Sequence, residues 1–330
     1  MGGKEAMISA AEGVNIVIND WLKVKLGESV LIVADDKHIG EAVLLRDCAK
    51  KNGANAQIIT VPENSIQDGK IFEQENYRKL FRNSDIIIGS TTYSLVTTEA
   101  VHRAIKNGRK FLSLPLSTNN GRSMMEFDFL TMNTNEAKCM ALPLVNILNR
   151  SNSINVTTAL GTDIHFDKTG RQADFFNGES AHIERFESSS FEVYVAIQEQ
   201  KTNGTAVVDG SLGYIGSVNE PIHLEFKDGW LVSIEKNKDG CRLQSYIDSF
   251  NCPMMYTAAE FGIGLNKVSR CKGECYIEDE STYGTFHIGM GRNISLGGNS
   301  NANGHFDLVF CKPTIYADDK LIMLNGDVIL

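Results

Sequence analysis

The sequence has no apolar run that approaches the roughly 20 residues needed to cross a bilayer, and residues 1–7 form no apolar signal core. These absences argue against a membrane protein and against a secreted one. The 7 cysteines are odd in number and scattered over 330 residues, which argues against a disulfide framework. We therefore expect reduced thiols and a cytoplasmic location.

Positive charge is also in short supply. Lys and Arg number 32 against 41 Asp and Glu, so the formal charge is −9. A nucleic-acid binder needs basic surface to displace counterions, and an anionic membrane attracts basic segments. The composition therefore predicts neither of these partners, and a modest acidic excess of this kind is common in cytosolic enzymes.

The first half alternates short apolar runs with segments of helical period. Strands are predicted at 29–34, 56–61, 85–89 and 110–114, with helices at 39–52, 74–83 and 96–107 between them. Strands this apolar on both faces indicate a parallel sheet covered by helices, which is an α/β, Rossmann-like scaffold domain over residues 1–150.

This domain lacks the phosphate-binding motifs of nucleotide enzymes. No G-x-G-x-x-G follows the first strand, no Gly-Lys-Ser/Thr loop is present, and residues 35–38 read Asp-Asp-Lys-His. Two acidic residues at that point would repel a pyrophosphate, so a nucleotide cofactor is not expected.

The pattern changes near residue 150. Short alternating runs at 154–158, 205–208, 222–226 and 230–234 are separated by Gly, Asn and Asp turns, with one helix predicted at 240–250. Residues 151–330 are therefore predicted to form an α+β, mostly antiparallel β domain, and the metal-capable residues in its last part make it the predicted metal-binding catalytic domain.

Metal-capable residues concentrate in the last third of the chain. His305 and Asp307 are two apart, so a strand would turn both to one side. Alternation likewise turns His287 away from its apolar neighbours. Glu260 stands among apolar and Gly residues, where a carboxylate must be paired, protonated or bound to a metal. Its structural alternative is a buried pair with Arg292.

The blocks 260–266, 284–291 and 305–309 resemble the signature blocks of the aminopeptidase T family. That resemblance implies a homodimer that acts on a small peptide or small-molecule substrate. It also implies two divalent ions, zinc, cobalt or manganese, held by two Glu, two His, an Asp and a nearby Tyr. The ligands carried over onto this sequence are Glu192, Glu260, His287, His305 and Asp307. Glu199 is a rival for the first Glu, and the Tyr of the family falls on Ile294.

The chain also resembles, more distantly, the 2,5-dihydroxypyridine dioxygenases on the same fold. That resemblance implies one Fe(II) held by a His-x-Asp pair and a second His, and it places a His at the position of Glu260. His287 is an alternative third ligand beside His305 and Asp307.

Three functional hypotheses follow. The leading one is a metallo-aminopeptidase of leucyl type, in which Glu192 or Glu260 acts as general base on metal-bound water and Arg292 stabilises the oxyanion. The second is an Fe(II)-dependent ring-cleaving dioxygenase. The third is a non-catalytic relative.

The other five histidines, at 38, 102, 165, 182 and 223, are expected to be structural or exposed.

Overall fold

The computed structural model describes residues 7–66, 69–96, 98–180 and 186–329. The chain divides into two compact units. Unit 1 comprises Met1–Thr134 and Phe176–Ser189, and unit 2 comprises Asn135–Phe175 and Ser190–Leu330. Each unit consists of two separate segments of the chain. The domain boundary that the sequence pattern places at residue 150 stays a prediction.

The helices in chain order are α1 (Ala10–Asn15), α2 (Ile39–Lys51), α3 (Glu75–Asn83), α4 (Glu99–Lys106), α5 (Thr134–Leu148), α6 (Lys238–Ser249) and α7 (Tyr276–Ser281). The strands are β1 (Ser29–Asp35), β2 (Asn55–Val61), β3 (Ile86–Thr91), β4 (Lys110–Pro115), β5 (Ser153–Thr157), β6 (Asp163–Asp167), β7 (Ala173–Asn177), β8 (Phe186–Ser188), β9 (Phe191–Ala196), β10 (Asn203–Val208), β11 (Ile222–Lys227), β12 (Trp230–Ile234), β13 (Ala258–Gly264), β14 (Thr285–Gly291), β15 (His305–Cys311), β16 (Thr314–Ala317), β17 (Lys320–Leu324) and β18 (Asp327–Val328).

Unit 1 is built on a parallel sheet with the strand order β2-β1-β3-β4-β8. The central strands are buried along almost their whole length, which explains why they read as continuous apolar runs. Asp35, at the end of β1, accepts hydrogen bonds from the backbone N–H groups of Lys37, His38 and Thr92. The acidic residue that replaces a glycine-rich loop therefore closes the β1–α2 turn.

Unit 2 contains two mainly antiparallel sheets. One has the order β12-β11-β10-β6-β5-β16-β17-β18, and the other has the order β15-β14-β13-β9-β7. Their apolar faces share one core, in which Phe166 of β6 packs against Phe261 of β13 with ring centroids 5.5 Å apart. The predicted fold class, an α/β domain followed by a β-rich α+β domain, is confirmed.

The second sheet of unit 2 turns only one face to this core. Phe261, Phe286 and Phe306 all belong to the core cluster, so their sequence neighbours project from the opposite face. A β-bulge interrupts β13 between Ala258 and Glu260. Ala258 lies in the core, and without the extra residue of the bulge Glu260 would point there too.

Two further sequence expectations concern the whole chain. All 7 cysteines are free thiols. Within the described ranges, no helix has the length and apolar character needed to span a membrane.

Candidate metal centre

Five metal-capable side chains project from the outer face of the second sheet of unit 2. Glu192 lies on β9, Glu260 on β13, His287 on β14, and His305 and Asp307 on β15. Register brings them into one cluster, since Gly262 is opposite His287 and Gly289 is opposite both Glu260 and Asp307. Four of the five are buried, and the side chain of His305 is 14% exposed.

Glycines make room for the imidazoles on this face. A Cβ atom at Gly262 would overlap the ring of His287. A Cβ atom at Gly289 would lie 2.7 Å from Cβ of Glu260 and 2.8 Å from Cε1 of His305. Gly262 and Gly289, on adjacent strands, therefore let the backbone approach these side chains closely.

His305 is held in a defined orientation by the backbone. Its Nδ1 lies 2.8 Å from the carbonyl oxygen of Arg292. A carbonyl only accepts, so Nδ1 carries a hydrogen and donates it. Nε2 then faces two carboxylates, with Oε2 of Glu260 at 3.2 Å and Oδ2 of Asp307 at 3.6 Å.

Glu192 and His287 form a second close pair. Nε2 of His287 lies 2.7 Å from Oε2 of Glu192. The other oxygen of Glu192 accepts a hydrogen bond from Oγ of Ser190 at 2.7 Å. Nδ1 of His287 has no hydrogen-bond partner among the residues that the structure describes. Glu192 is thus the one polar contact that the described residues give this ring.

The cluster consists of two overlapping groups of three. Glu260, His305 and Asp307 form one group, and Glu192, Glu260 and His287 form the other, with the candidate ligand atoms of each group within 4.8 Å of one another. Glu260 belongs to both groups. His287, His305 and Asp307, the alternative triad of the sequence analysis, do not form such a group within the described part of the chain.

The charges of the cluster are tightly linked. Burial opposes protonation of both imidazoles, yet the carboxylate of Glu192 raises the pKa of His287 to about 9. Burial likewise opposes protonation of His305, and Asp307 raises its pKa well above the ordinary value. Burial raises the pKa of Glu260 to about 7. A cation bound here would take the place of these protons, so metal binding releases them.

Two site residues escape sequence analysis because they lie on α7, a helix of one and a half turns. The hydroxyl of Tyr276 donates to Oδ2 of Asp307, and Glu280 is buried one turn further on. A Tyr therefore stands at the cluster, although the position taken from the resemblance, Ile294, lies in a turn and is 38% exposed. The one signal in the sequence is a run of three acidic residues at 278–280.

None of the remaining candidates that the structure describes belongs to either group of three. Glu199, the rival of Glu192, pairs with Arg171 at 2.9 Å and belongs to neither group. Arg292 contributes its backbone carbonyl to His305, and the catalytic role predicted for its side chain stays a prediction. His165 is exposed and lies 2.8 Å from Oδ1 of Asn155. His182 lies outside the described residues.

The fold and this cluster define a two-unit chain with a candidate metal centre on one β-sheet. A model of the NicX family, described as 2,5-dihydroxypyridine 5,6-dioxygenase, matches residues 20–330. The chain therefore belongs to this family.

Individual relatives agree with this assignment. The 2,5-dihydroxypyridine 5,6-dioxygenase of Pseudomonas putida is 27% identical over 210 residues. That match spans 59% of this chain and 59% of the relative.

Two solved structures share the fold. The 2,5-dihydroxypyridine dioxygenase of Pseudomonas putida KT2440 superposes with a TM-score of 0.80 at 20% identity over 98% of each chain. AmpT from Thermus thermophilus superposes with a TM-score of 0.67 at 14% identity, over 97% of this chain and 99% of that one. At these identities the structures show a common fold and nothing finer.

The family match corrects the leading functional hypothesis. The predictions of a hydrolase, an aminopeptidase and a metalloprotease are wrong, because the family of the chain is a dioxygenase family. The two-ion zinc, cobalt or manganese centre was tied to the peptidase and has no support from the family. The error has a physical cause, because short blocks of His, Asp and Glu specify a metal-binding face but not the reaction performed there.

Proposed function

We propose that this chain is an Fe(II)-dependent dioxygenase that opens the ring of a dihydroxypyridine. The observation that carries the proposal is the family match over residues 20–330, on a chain whose β-rich unit gathers Glu260, His305 and Asp307 at one point. The ring-cleaving activity, the substrate and the iron all belong to the proposal.

The donor set fits such an ion. Imidazole and carboxylate oxygen are ligands that non-haem iron accepts. Oδ1 of Asp307 is buried and has no hydrogen-bond partner among the described residues, which is the condition of an oxygen reserved for a cation. The set departs from the usual triad of two His and one carboxylate, since Glu260 stands where the resemblance places a His.

His305 is better prepared to ligate than His287. Metal-bound histidines almost always donate their other ring N–H to a carbonyl or carboxylate. His305 does so to the carbonyl of Arg292, which leaves Nε2 facing Glu260 and Asp307. We therefore assign the iron to the group of Glu260, His305 and Asp307.

Bound Fe(II) supplies the one-electron chemistry that dioxygen needs in order to react with a closed-shell ring. The protein contributes a proton acceptor beside it. Nε2 of His287 and Oε2 of Glu192 lie 2.7 Å apart, and the pair adjoins the iron group through Glu260. We assign this pair to take the proton of a ring hydroxyl when the substrate binds.

Oxygen uptake tests the proposal. The full chain, loaded anaerobically with Fe(II), is mixed with 2,5-dihydroxypyridine and air-saturated buffer in an oxygen electrode. We expect uptake of one dioxygen per ring opened, loss of that activity in D307N, and unchanged activity in H165A, whose imidazole is exposed. Absence of uptake by folded, iron-loaded wild-type protein would overturn the proposal.

A further inference from the structure

Three consecutive acidic residues of α7, Glu278, Asp279 and Glu280, are buried, and two of them have a structural reason to be there. Oε1 of Glu278 accepts the backbone N–H of Arg270 at 3.1 Å. Oδ1 of Asp279 accepts the N–H groups of Lys272 and Gly273 at 2.8 and 2.9 Å. These two carboxyl groups fix the loop that precedes α7.

Glu280 fixes no loop. Its side chain is 96% buried, since the residue is 4% exposed, and Oε2 has no hydrogen-bond partner among the described residues. Its carboxyl group contacts Tyr276, one helical turn earlier, and feels the charges of Glu192 and Asp307. Burial, reinforced by these carboxylates, raises its pKa well above the ordinary value. Glu280 is therefore a buried acid beside Tyr276, close enough to the metal cluster to feel its charges.

Hydrogen-bond direction links Glu280 to the cluster. A phenol has one hydrogen, and the hydroxyl of Tyr276 donates it to Oδ2 of Asp307, which as a carboxylate only accepts. The phenol has no second hydrogen for Glu280, so a hydrogen shared in that contact has to come from the side chain at position 280. Tyr276 therefore lies between Asp307, to which it donates, and Glu280.

The ring of Tyr276 is held in place independently of its hydroxyl. It stacks on Tyr214 with ring centroids 4.2 Å apart and an interplanar angle of 28°. The residue is 4% exposed. A Phe at this position would keep the stacking and lose only the hydrogen bonds.

We propose that Tyr276 positions the carboxylate of Asp307 for metal binding, with Glu280 holding the phenol from the far side. This inference rests on the proposed metal role of Asp307. Tyr276 donates to Oδ2, the oxygen that faces Nε2 of His305, and Oδ1 has no described partner, so this one hydrogen bond fixes the rotation of the Asp307 carboxylate. Partners of this kind orient a ligand, and their loss typically weakens metal affinity about 10- to 100-fold.

Co(II) titration of the full chain tests the inference without turnover. Co(II) is a spectroscopic probe whose visible absorption reports the ligand geometry. We expect Y276F to bind Co(II) about 10- to 100-fold more weakly than wild type and with an altered absorption band. The matched control is Y256F, which removes a Tyr hydroxyl bonded to Asp248 at 2.7 Å and should leave both quantities unchanged.

Substitutions of Glu280 supply a second pair of variants, which test the same arrangement of Glu280, Tyr276 and Asp307 with Tyr276 intact. Gln at position 280 keeps the shape and an N–H donor, so E280Q should bind Co(II) like wild type. E280L removes the donor, and we expect it to bind more weakly than E280Q. These variants keep the inference testable if Y276F does not fold.

The outcomes separate this inference from the proposed function. Weaker Co(II) binding by Y276F supports it even if the wild type consumes no oxygen. Wild-type affinity and an unchanged band in folded Y276F overturn it even if the wild type opens the ring. Equal affinities of E280L and E280Q overturn the role of Glu280, and a wild type that binds no Co(II) overturns the inference entirely.

Discussion

Nδ1 of His305 donates to the carbonyl oxygen of Arg292 across 2.8 Å. Arg292 follows β14 directly and His305 opens β15, so the contact joins the ends of two paired strands. One backbone hydrogen bond thus fixes the tautomer of the imidazole and directs Nε2 at the carboxylates of the cluster.

Metal binding should depend on His305. A divalent ion at 100 times its dissociation constant stabilises a protein that binds it only when folded by about 2.7 kcal/mol. We expect Fe(II) or Co(II) to raise the melting temperature of the wild type and not that of H305A. H165A is the control and should respond like the wild type. An equal rise in H305A would remove His305 from the ligand set.

Metal binding should also require Gly289, because a side chain at this position would displace Glu260 and His305. Its φ is compatible with Ala, but the added methyl would lie 2.7 Å from Cβ of Glu260 and 2.8 Å from Cε1 of His305. We expect G289A to lose about 1–3 kcal/mol of unfolding free energy through overpacking and to bind metal poorly. G40A is the control, since open space surrounds Gly40 in α2 and Ala should stabilise that helix by about 0.5–1 kcal/mol. Normal metal binding by G289A would contradict the account.

Glu192 and Glu199 should have separable roles. Glu199 pairs with Arg171 at 2.9 Å and accepts the N–H of Asn299 at 2.6 Å, so it anchors the loop between β14 and β15. Removing one partner of a largely buried pair costs about 3 kcal/mol. We therefore expect E199Q to lower the unfolding free energy while the folded protein binds metal normally.

The matching substitution, E192Q, should slow oxygen uptake because the pair with His287 no longer takes a proton. K201A is the stability control, because Lys201 pairs with Asp167 at the surface and such pairs contribute about 0–1 kcal/mol. The assignment fails if E199Q slows turnover at full metal loading and E192Q does not.

Asp279 should make stability depend on pH. Burial raises its pKa from 3.8 to about 7, so the folded chain holds this proton more tightly than the unfolded chain does. Its contribution to the unfolding free energy is therefore complete below pH 3.8 and is lost as the pH rises to about 7. The loss amounts to at most about 4 kcal/mol, at about 1.4 kcal/mol per pH unit.

D279N isolates this effect, because Asn has no proton to lose and its Oδ1 can still accept the N–H groups of Lys272 and Gly273. Urea unfolding of the two proteins between pH 4 and pH 8 gives the comparison. We expect the stability of the wild type, relative to D279N, to fall across this window. A constant difference would show that Asp279 titrates at the same pH in both states.

The regular helices and strands could be predicted from the sequence because buried apolar residues recur along each of them with the period of that element. Strands β1 and β3 are buried on both faces and read as continuous apolar runs. Strand β14 turns alternate residues to the core and reads as an alternating pattern. The fifth strand of the parallel sheet, β8, was not predicted. It comes from residues 186–188, far along the chain, and three residues carry no periodicity.

The candidate ligands were predicted for a similar reason, since alternation turns His287, His305 and Asp307 away from the core. The groups that hold these ligands in place were not predicted. The bulge before Glu260, the carbonyl of Arg292 and the hydroxyl of Tyr276 depend on contacts between elements, which no local pattern encodes. The reaction was predicted wrongly because these shared ligand blocks occur with more than one chemistry.

The origin of the oxygen atoms in the product tests the central claim most directly. Iron-loaded protein is given 2,5-dihydroxypyridine under dioxygen enriched in the heavy isotope, and the product is examined by mass spectrometry. A ring-cleaving dioxygenase places both labelled atoms in one open-chain product. An intact ring, or an opened product whose new oxygen comes from water, would contradict the account.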